Sequence, residues 1–109
     1  MPTVNIFSEK VNQKEIKNLA LELKPLVANK LSCGDIKLTP KEVSVRVIYI
    51  EDGNTIGKVE IEIKAHAFKE RIEKQDIICN EIRDYIMKKY KSLGDVRVWL
   101  ILSELGHSW

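Results

Sequence analysis

The chain has 109 residues, 18 basic and 16 acidic, a formal net charge of +2, and 44% hydrophobic and 31% charged residues. This is the composition of one folded domain with a two-layer core, small enough that association of copies would help it bury apolar surface. It excludes a disordered or membrane-embedded chain, and a near-neutral balance with Lys and Glu interleaved gives no reason to expect nucleic acid.

The chain opens Met1-Pro2-Thr3-Val4-Asn5-Ile6-Phe7, a β-type segment that begins with proline. Proline has no backbone N–H, and the first residue of a strand is one of the few sheet positions that tolerates it. With Met1 removed, Pro2 becomes a secondary amine at the head of a strand; a Met-Pro start without chemical consequence is the plain alternative. No charged-then-apolar leader follows Met1, and no apolar run approaches the roughly 18 residues needed to cross a bilayer, so a cytoplasmic protein without a membrane partner is expected.

Asn12-Gln13-Lys14-Glu15 carries a helix-start signal related to the capping box. Ile16, Leu19, Ala20, Leu23, Leu26, Val27 and Leu31 then recur at helical spacing. The spacing predicts a core-facing helix over 12–31, kinked or divided at Pro25 and ended by Ser32-Cys33-Gly34-Asp35. Thr39-Pro40-Lys41-Glu42 reads as a single helical turn before a strand over 43–50, in which Val43, Val45, Val47 and Tyr49 alternate with Ser44, Arg46, Ile48 and Ile50. Glu51-Asp52-Gly53-Asn54 carries the Asp-Gly signal of a hairpin turn.

A strand over 57–66 has the cleanest alternation, Val59, Ile61, Ile63 and Ala65 against Lys58, Glu60, Glu62, Lys64 and His66. A helix over about 69–90 follows, with Ile72, Gln75, Ile78, Cys79, Ile82, Tyr85, Ile86 and Lys89 on or beside its stripe. Ser92-Leu93-Gly94-Asp95 breaks it, and a last strand over 96–103 alternates Val96, Val98, Leu100 and Leu102 against Arg97, Trp99 and Ile101. The order is two β-α-β units in tandem, 1–52 and 53–109, with the tetrads Ser44-Val45-Arg46-Val47 and Asp95-Val96-Arg97-Val98 echoing each other. Helix-linked strands are parallel with right-handed crossovers, so an α+β domain with a four-stranded sheet and two helices on one face is expected. The other sheet face, with Ile48, Ile50, Trp99 and Ile101 among charges, is apolar enough to want a partner subunit.

Cys33 and Cys79 have neither CxxC nor metal-ligand spacing. Reduced thiols are expected, and no metal or other cofactor is called for. A terminal amine serves as a base near neutral pH when burial or nearby positive charge disfavours its protonated form, and Val4 and Ile6 share Pro2's strand face. Arg46, mid-strand, needs a partner or solvent. Its planar guanidinium suits a carboxylate, with an inter-subunit salt bridge or a solvent-reaching edge residue as the alternatives. Arg71 opens a helix where its charge opposes the macrodipole, which favours a ligand role, with a solvated first turn as the alternative. His66 ends the charged strand face as a proton donor, substrate contact or surface residue.

Met1-Pro2 opening into a strand, two β-α-β units of this length, and the Pro40-Lys41-Glu42-Val43 turn together resemble the tautomerase superfamily. Arg46, Asp52-Gly53, the strand Val59 to Ala65 and Arg71 are most similar to the pattern of its 5-carboxymethyl-2-hydroxymuconate isomerases. The run Phe68-Lys69-Glu70-Arg71 lacks the glycine many members place before the helix-entry arginine. Lys69 and Arg71 are instead similar to the arginine pair of the malonate semialdehyde decarboxylase group, which Glu104 and Trp109 resemble loosely. The resemblance implies a homotrimer with active sites near the amino-terminal prolines, Pro2 as general base on a 2-oxo or 2-hydroxy-dienoic acid, and Arg46 and Arg71, with Lys69 and His66, as substrate contacts. A ferredoxin-like ligand-binding or oligomerisation module has the same element order, and a trimer that kept the fold without the chemistry is a third reading.

Overall fold

The computed structural model describes residues 2–51 and 58–104. Among these, the order is β1 (Thr3–Glu9), α1 (Gln13–Leu31), β2 (Ser44–Ile50), β3 (Val59–His66), α2 (Lys69–Glu73), α3 (Gln75–Lys89) and β4 (Val96–Ser103), with short 3-10 turns at Lys10–Asn12, Pro40–Glu42 and Lys91–Leu93. The strands form one sheet in the order β2-β1-β3-β4. β1 is parallel to β2 and antiparallel to β3, and β3 is parallel to β4. Each parallel pair is bridged by helix, as the tandem β-α-β plan requires.

The period-2 alternation decides what each face does. Val4 and Ile6 of β1, Val59, Ile61, Ile63 and Ala65 of β3, and Val96 and Leu100 of β4 are buried in one core with Ile16, Leu19 and Leu23 of α1 and Ile78, Ile82 and Ile86 of α3. The helices therefore cover one face, and Ile48, Trp99 and Ile101 are exposed on the other. Gly94 closes the turn into β4 at φ +75, where an added Cβ would lie 3.3 Å from Lys58 Cγ.

Four local expectations are corrected. Asn12 makes no side-chain cap, because it belongs to the 3-10 turn with φ −91 and ψ 11 rather than to an extended capping position. Pro25 does not divide α1, which runs unbroken over Gln13–Leu31. The carbonyl the ring deprives of its donor is that of Leu21, which is 68% exposed and faces water.

β2 and β3 do not pair as a hairpin, since β1 lies between them. The Asp52-Gly53 signal lies outside the described residues. The helix expected over 69–90 breaks at Lys74, whose φ −105 and ψ 13 separate α2 from α3. Of the residues read onto its stripe, Ile72 is 54% exposed and Tyr85 40% exposed, while Arg71 turns inward.

The helical layer is tied across its outer side by charge. Glu22 of α1 accepts from Lys89 Nζ at 2.7 Å and from the Tyr85 hydroxyl at 3.1 Å, and Lys30 pairs with Glu81. The Lys89 ammonium holds the Glu22 carboxyl below its ordinary value, and Glu22 in turn raises Lys89. Burial, then Glu22, pushes Tyr90 up to about 12. A carboxyl depressed in the folded state contributes stability above its ordinary pKa of 4.5 and loses it as pH falls through the lower folded value. Glu22→Gln is thus expected to lower the thermal midpoint at pH 7, with the gap to wild type closing below about pH 4; a gap independent of pH would contradict the ion-pair origin.

Candidate active site at the head of the central strand

Pro2 is buried at the start of β1, a central strand, and its carbonyl accepts from Ser44 N–H at 3.1 Å. Continuing the register one residue back from Thr3↔Ser44 and Thr3↔Lys64 sets Pro2 level with Val43 and Ala65, both buried on the helix-covered face. His66, half-buried, ends β3 at this same end of the sheet opposite Ser103, with its ring 4.6 Å from Phe68 edge to face. Lys69 opens α2 just beyond and is exposed.

Arg46 stands elsewhere on the surface. It is exposed on the open face of β2, level with Asn5 and, across the sheet, with Glu62 and Trp99. Asn5 Nδ2 donates to Glu62 Oε1 at 3.1 Å, and Lys64 lies 3.7 Å from the same carboxylate, which realises part of the charged face read from the alternation. Three residues and one strand spacing separate Pro2 from Arg46, roughly 11 Å between backbones, and their side chains leave opposite faces. Within one chain the two are not brought together.

Arg71 is 3% exposed. Its Nε donates to the carbonyl of Leu31 at the end of α1, and its Nη1 to the carbonyl of His66, each at 2.9 Å. The guanidinium also lies 4.8 Å from the Phe68 ring centroid. Burial lowers its pKa from the ordinary value, with Cys33 opposing. The helix-start position that suggested a ligand hand instead fastens two backbone ends, and the hydrogen bond to His66 fixes where that residue sits.

A groove of about 570 Å³ wraps the edge of β2 near its start, lined among others by Thr3, Ser44, Arg46, Lys41 and Lys24 of α1. A second, of about 450 Å³, shares Lys24 and Val45 with it and continues between α1 and β2 past Ala20, Leu21, Val47 and Tyr49. Sequence reasoning missed Lys24 and Lys41, whose one signal was position beside a proline: Lys24 precedes Pro25 within α1, and Lys41 follows Pro40 at the turn into β2. Both cysteines are free, and burial pushes the half-buried Cys79 thiol up. Glu104 is exposed; His107 and Trp109 lie outside the described residues. Among the described residues no cluster of His, Cys, Asp or Glu could hold a metal, and no helix is long and apolar enough to cross a membrane.

Two parallel β-α-β units sharing one sheet, with helices on a single face, define a tautomerase-like α+β fold, and comparison with solved structures bears this out. The macrophage migration inhibitory factor-like protein of Entamoeba histolytica superposes with a TM-score of 0.63 at 17% identity, over 98% of this chain and 95% of that one. A fused 4-OT protein, solved as an asymmetric trimer, gives 0.59 at 15% identity over 97% and 92%. MIF2 of Leishmania major gives 0.51 at 10% identity over 100% and 92%. No protein-family model and no curated protein matches the sequence.

Removing the Arg71 side chain takes a donor from the buried contact at Leu31 and from the half-buried one at His66. Arg71→Ala is therefore expected to destabilise the fold by about 2–4 kcal/mol in urea unfolding, with Arg71→Lys recovering only part because one ammonium does not reproduce the fork. A loss below about 0.5 kcal/mol would show that the two hydrogen bonds are not what holds this corner.

Proposed function

We propose that this protein is a tautomerase that interconverts enol and keto forms of a small 2-oxo or 2-hydroxy-dienoic carboxylic acid. Pro2, freed by removal of Met1, acts as the general base. The observation that carries the reading is the buried proline at the head of the central strand of a tautomerase-like sheet. Burial disfavours the protonated amine and so lowers its pKa toward the working pH. The Pro2 nitrogen takes the enol O–H proton and returns a proton to a diene carbon. The double bonds shift, and no electrons are gained or lost overall.

Arg46 is the carboxylate holder. Because it and Pro2 leave opposite faces of one sheet, the arginine that serves a given Pro2 comes from a neighbouring copy. A homotrimer supplies that neighbour and covers Ile48, Trp99 and Ile101 at once. The trimeric state of the fused 4-OT structure is in keeping with this. His66 and Lys69, at the same end of the sheet as Pro2, are substrate contacts, and Arg71 acts as the residue that positions His66. The pattern around Arg46 and Arg71 favours a 5-carboxymethyl-2-hydroxymuconate isomerase-like reaction within the superfamily, in the cytoplasm, where reduced thiols persist.

The base role requires that Met1 be removed, since in an unprocessed chain the proline nitrogen is an amide without basicity. A trimer of this fold without the chemistry is the outcome in that case. The amino-terminal mass separates the two. With Met1 removed, Pro2→Ala is expected to lower kcat/KM for enol ketonisation by about 100-fold or more, and equal activity in the variant would remove Pro2 from the role. Arg46→Ala is expected to raise KM by about tenfold, the loss of one charge-assisted hydrogen bond; unaltered kinetics would count against it.

A further inference from the structure

The base role of Pro2 exists only after the Met1–Pro2 bond is hydrolysed, and the fold limits when that can happen. Pro2 is buried, and its carbonyl accepts from Ser44 N–H at 3.1 Å. From the next residue the chain is paired on both sides, Thr3 standing opposite Ser44 of β2 and Lys64 of β3. β1 is a central strand in the order β2-β1-β3-β4, so neither side of its head is a free edge. Val43 and Ala65, level with Pro2, and Val4, two residues on, are all buried.

An aminopeptidase draws the amino terminus into a cleft, with the scissile bond and the residues after it laid along its own surface. Those residues are Pro2 and Thr3, and their backbone is already committed to the sheet. Cleavage of the folded chain therefore requires that the head of β1 first leave β2 and β3. When opening and closing are fast, the rate is that of an unstructured chain multiplied by the fraction of molecules open. We infer that a methionine-removing aminopeptidase acts on this chain before the sheet closes, so that the share of molecules with a free Pro2 amine is set during synthesis and a chain that folds with Met1 attached stays without the base. The step is a hydrolysis. Water adds its hydroxyl to the Met1 carbonyl carbon, the bond from that carbon to the Pro2 nitrogen breaks, methionine leaves as the free amino acid, and the nitrogen takes the proton. The consequence for activity rests on the tautomerase reading, whereas protection of the bond does not require turnover.

The test uses the full chain with Met1 retained, made with the host aminopeptidase inhibited, and the peptide Met1 to Phe7 as the unstructured reference. Both are given to a purified methionine aminopeptidase, and loss of methionine is followed by mass. The folded chain is expected to lose Met1 at least about 100-fold more slowly than the peptide. Ser44→Pro removes the N–H that holds the Pro2 carbonyl and should narrow the gap about tenfold. Val43, at φ −104 and ψ 120, already has the extended geometry a following proline needs. Hydrogen exchange at the Ser44 amide of the wild-type chain reads the same opening and decides the matter even where the proline variant does not fold: cleavage should be slowed at least as much as that amide is protected. Equal rates for folded chain and peptide, a slow rate that folded Ser44→Pro leaves unchanged, or cleavage slowed less than the Ser44 amide is protected would each overturn the inference. Slow cleavage beside a processed chain that turns over no enol supports it and removes the tautomerase reading instead.

Discussion

One buried guanidinium holds the amino-terminal end of this sheet in place. Arg71 reaches the last carbonyl of α1, the last carbonyl of β3 and the Phe68 ring, and so ties the end of α1 to the β3–α2 turn, 40 residues further along the chain. Arg71 precedes Ile78 by seven residues, two helical turns, so it shares the inward side of Ile78, Ile82 and Ile86, while Ile72, six residues before Ile78, falls outside that stripe and is exposed. A charge buried without acidic partners is tolerable because backbone carbonyls take its donors, and a buried charge left without them would cost more than the contact returns.

The two edges of the sheet are treated unequally. Along β4, Gln75 donates to the Leu100 carbonyl at 2.7 Å and Arg83 to the Val96 carbonyl at 3.2 Å, so α3 caps that edge with its own side chains. Along β2, among the described residues, no side chain bonds the free backbone, and the two grooves that share Lys24 run beside it. An open strand edge is a pairing and aggregation hazard unless charge or a partner occupies it. Lys24, Lys41 and Arg46 supply the charge.

How much of this was legible in the sequence depends on the range of the interaction. The alternation of Val59, Ile61, Ile63 and Ala65 assigned the faces of β3 correctly, and the α1 stripe named Ile16, Leu19, Leu23 and Leu31, because burial of one face is a local pattern repeated many times. The strand order was not legible. Asp52-Gly53 argues for a hairpin on local grounds, yet β1 takes the place between β2 and β3, a choice made by packing across the whole sheet. Arg71 was read through its own helix, where a cation at the start looks misplaced; its partner at Leu31 is 40 residues away. Lys24 and Lys41 gave no chemical signal alone, since a lysine beside a proline is ordinary until the crossover brings both to one strand edge.

The position of β1 also constrains what its first residue can be. A central strand has neighbours on both sides, so an unpaired N–H at its head would face either β2 or β3 without water to satisfy it. Proline removes that donor, and its carbonyl still takes the Ser44 N–H, so the strand begins without an orphaned group. This structural account holds while Met1 acylates the proline nitrogen; a free amino-terminal proline carries an N–H again. Catalysis asks for something further from the same atom, a free amine in a buried setting. It also asks for an arginine that its own chain holds on the far side of the sheet. With Met1 attached, a proline at this position is explained by sheet geometry alone; the proposed chemistry adds the requirement that a second copy bring its arginine to the first.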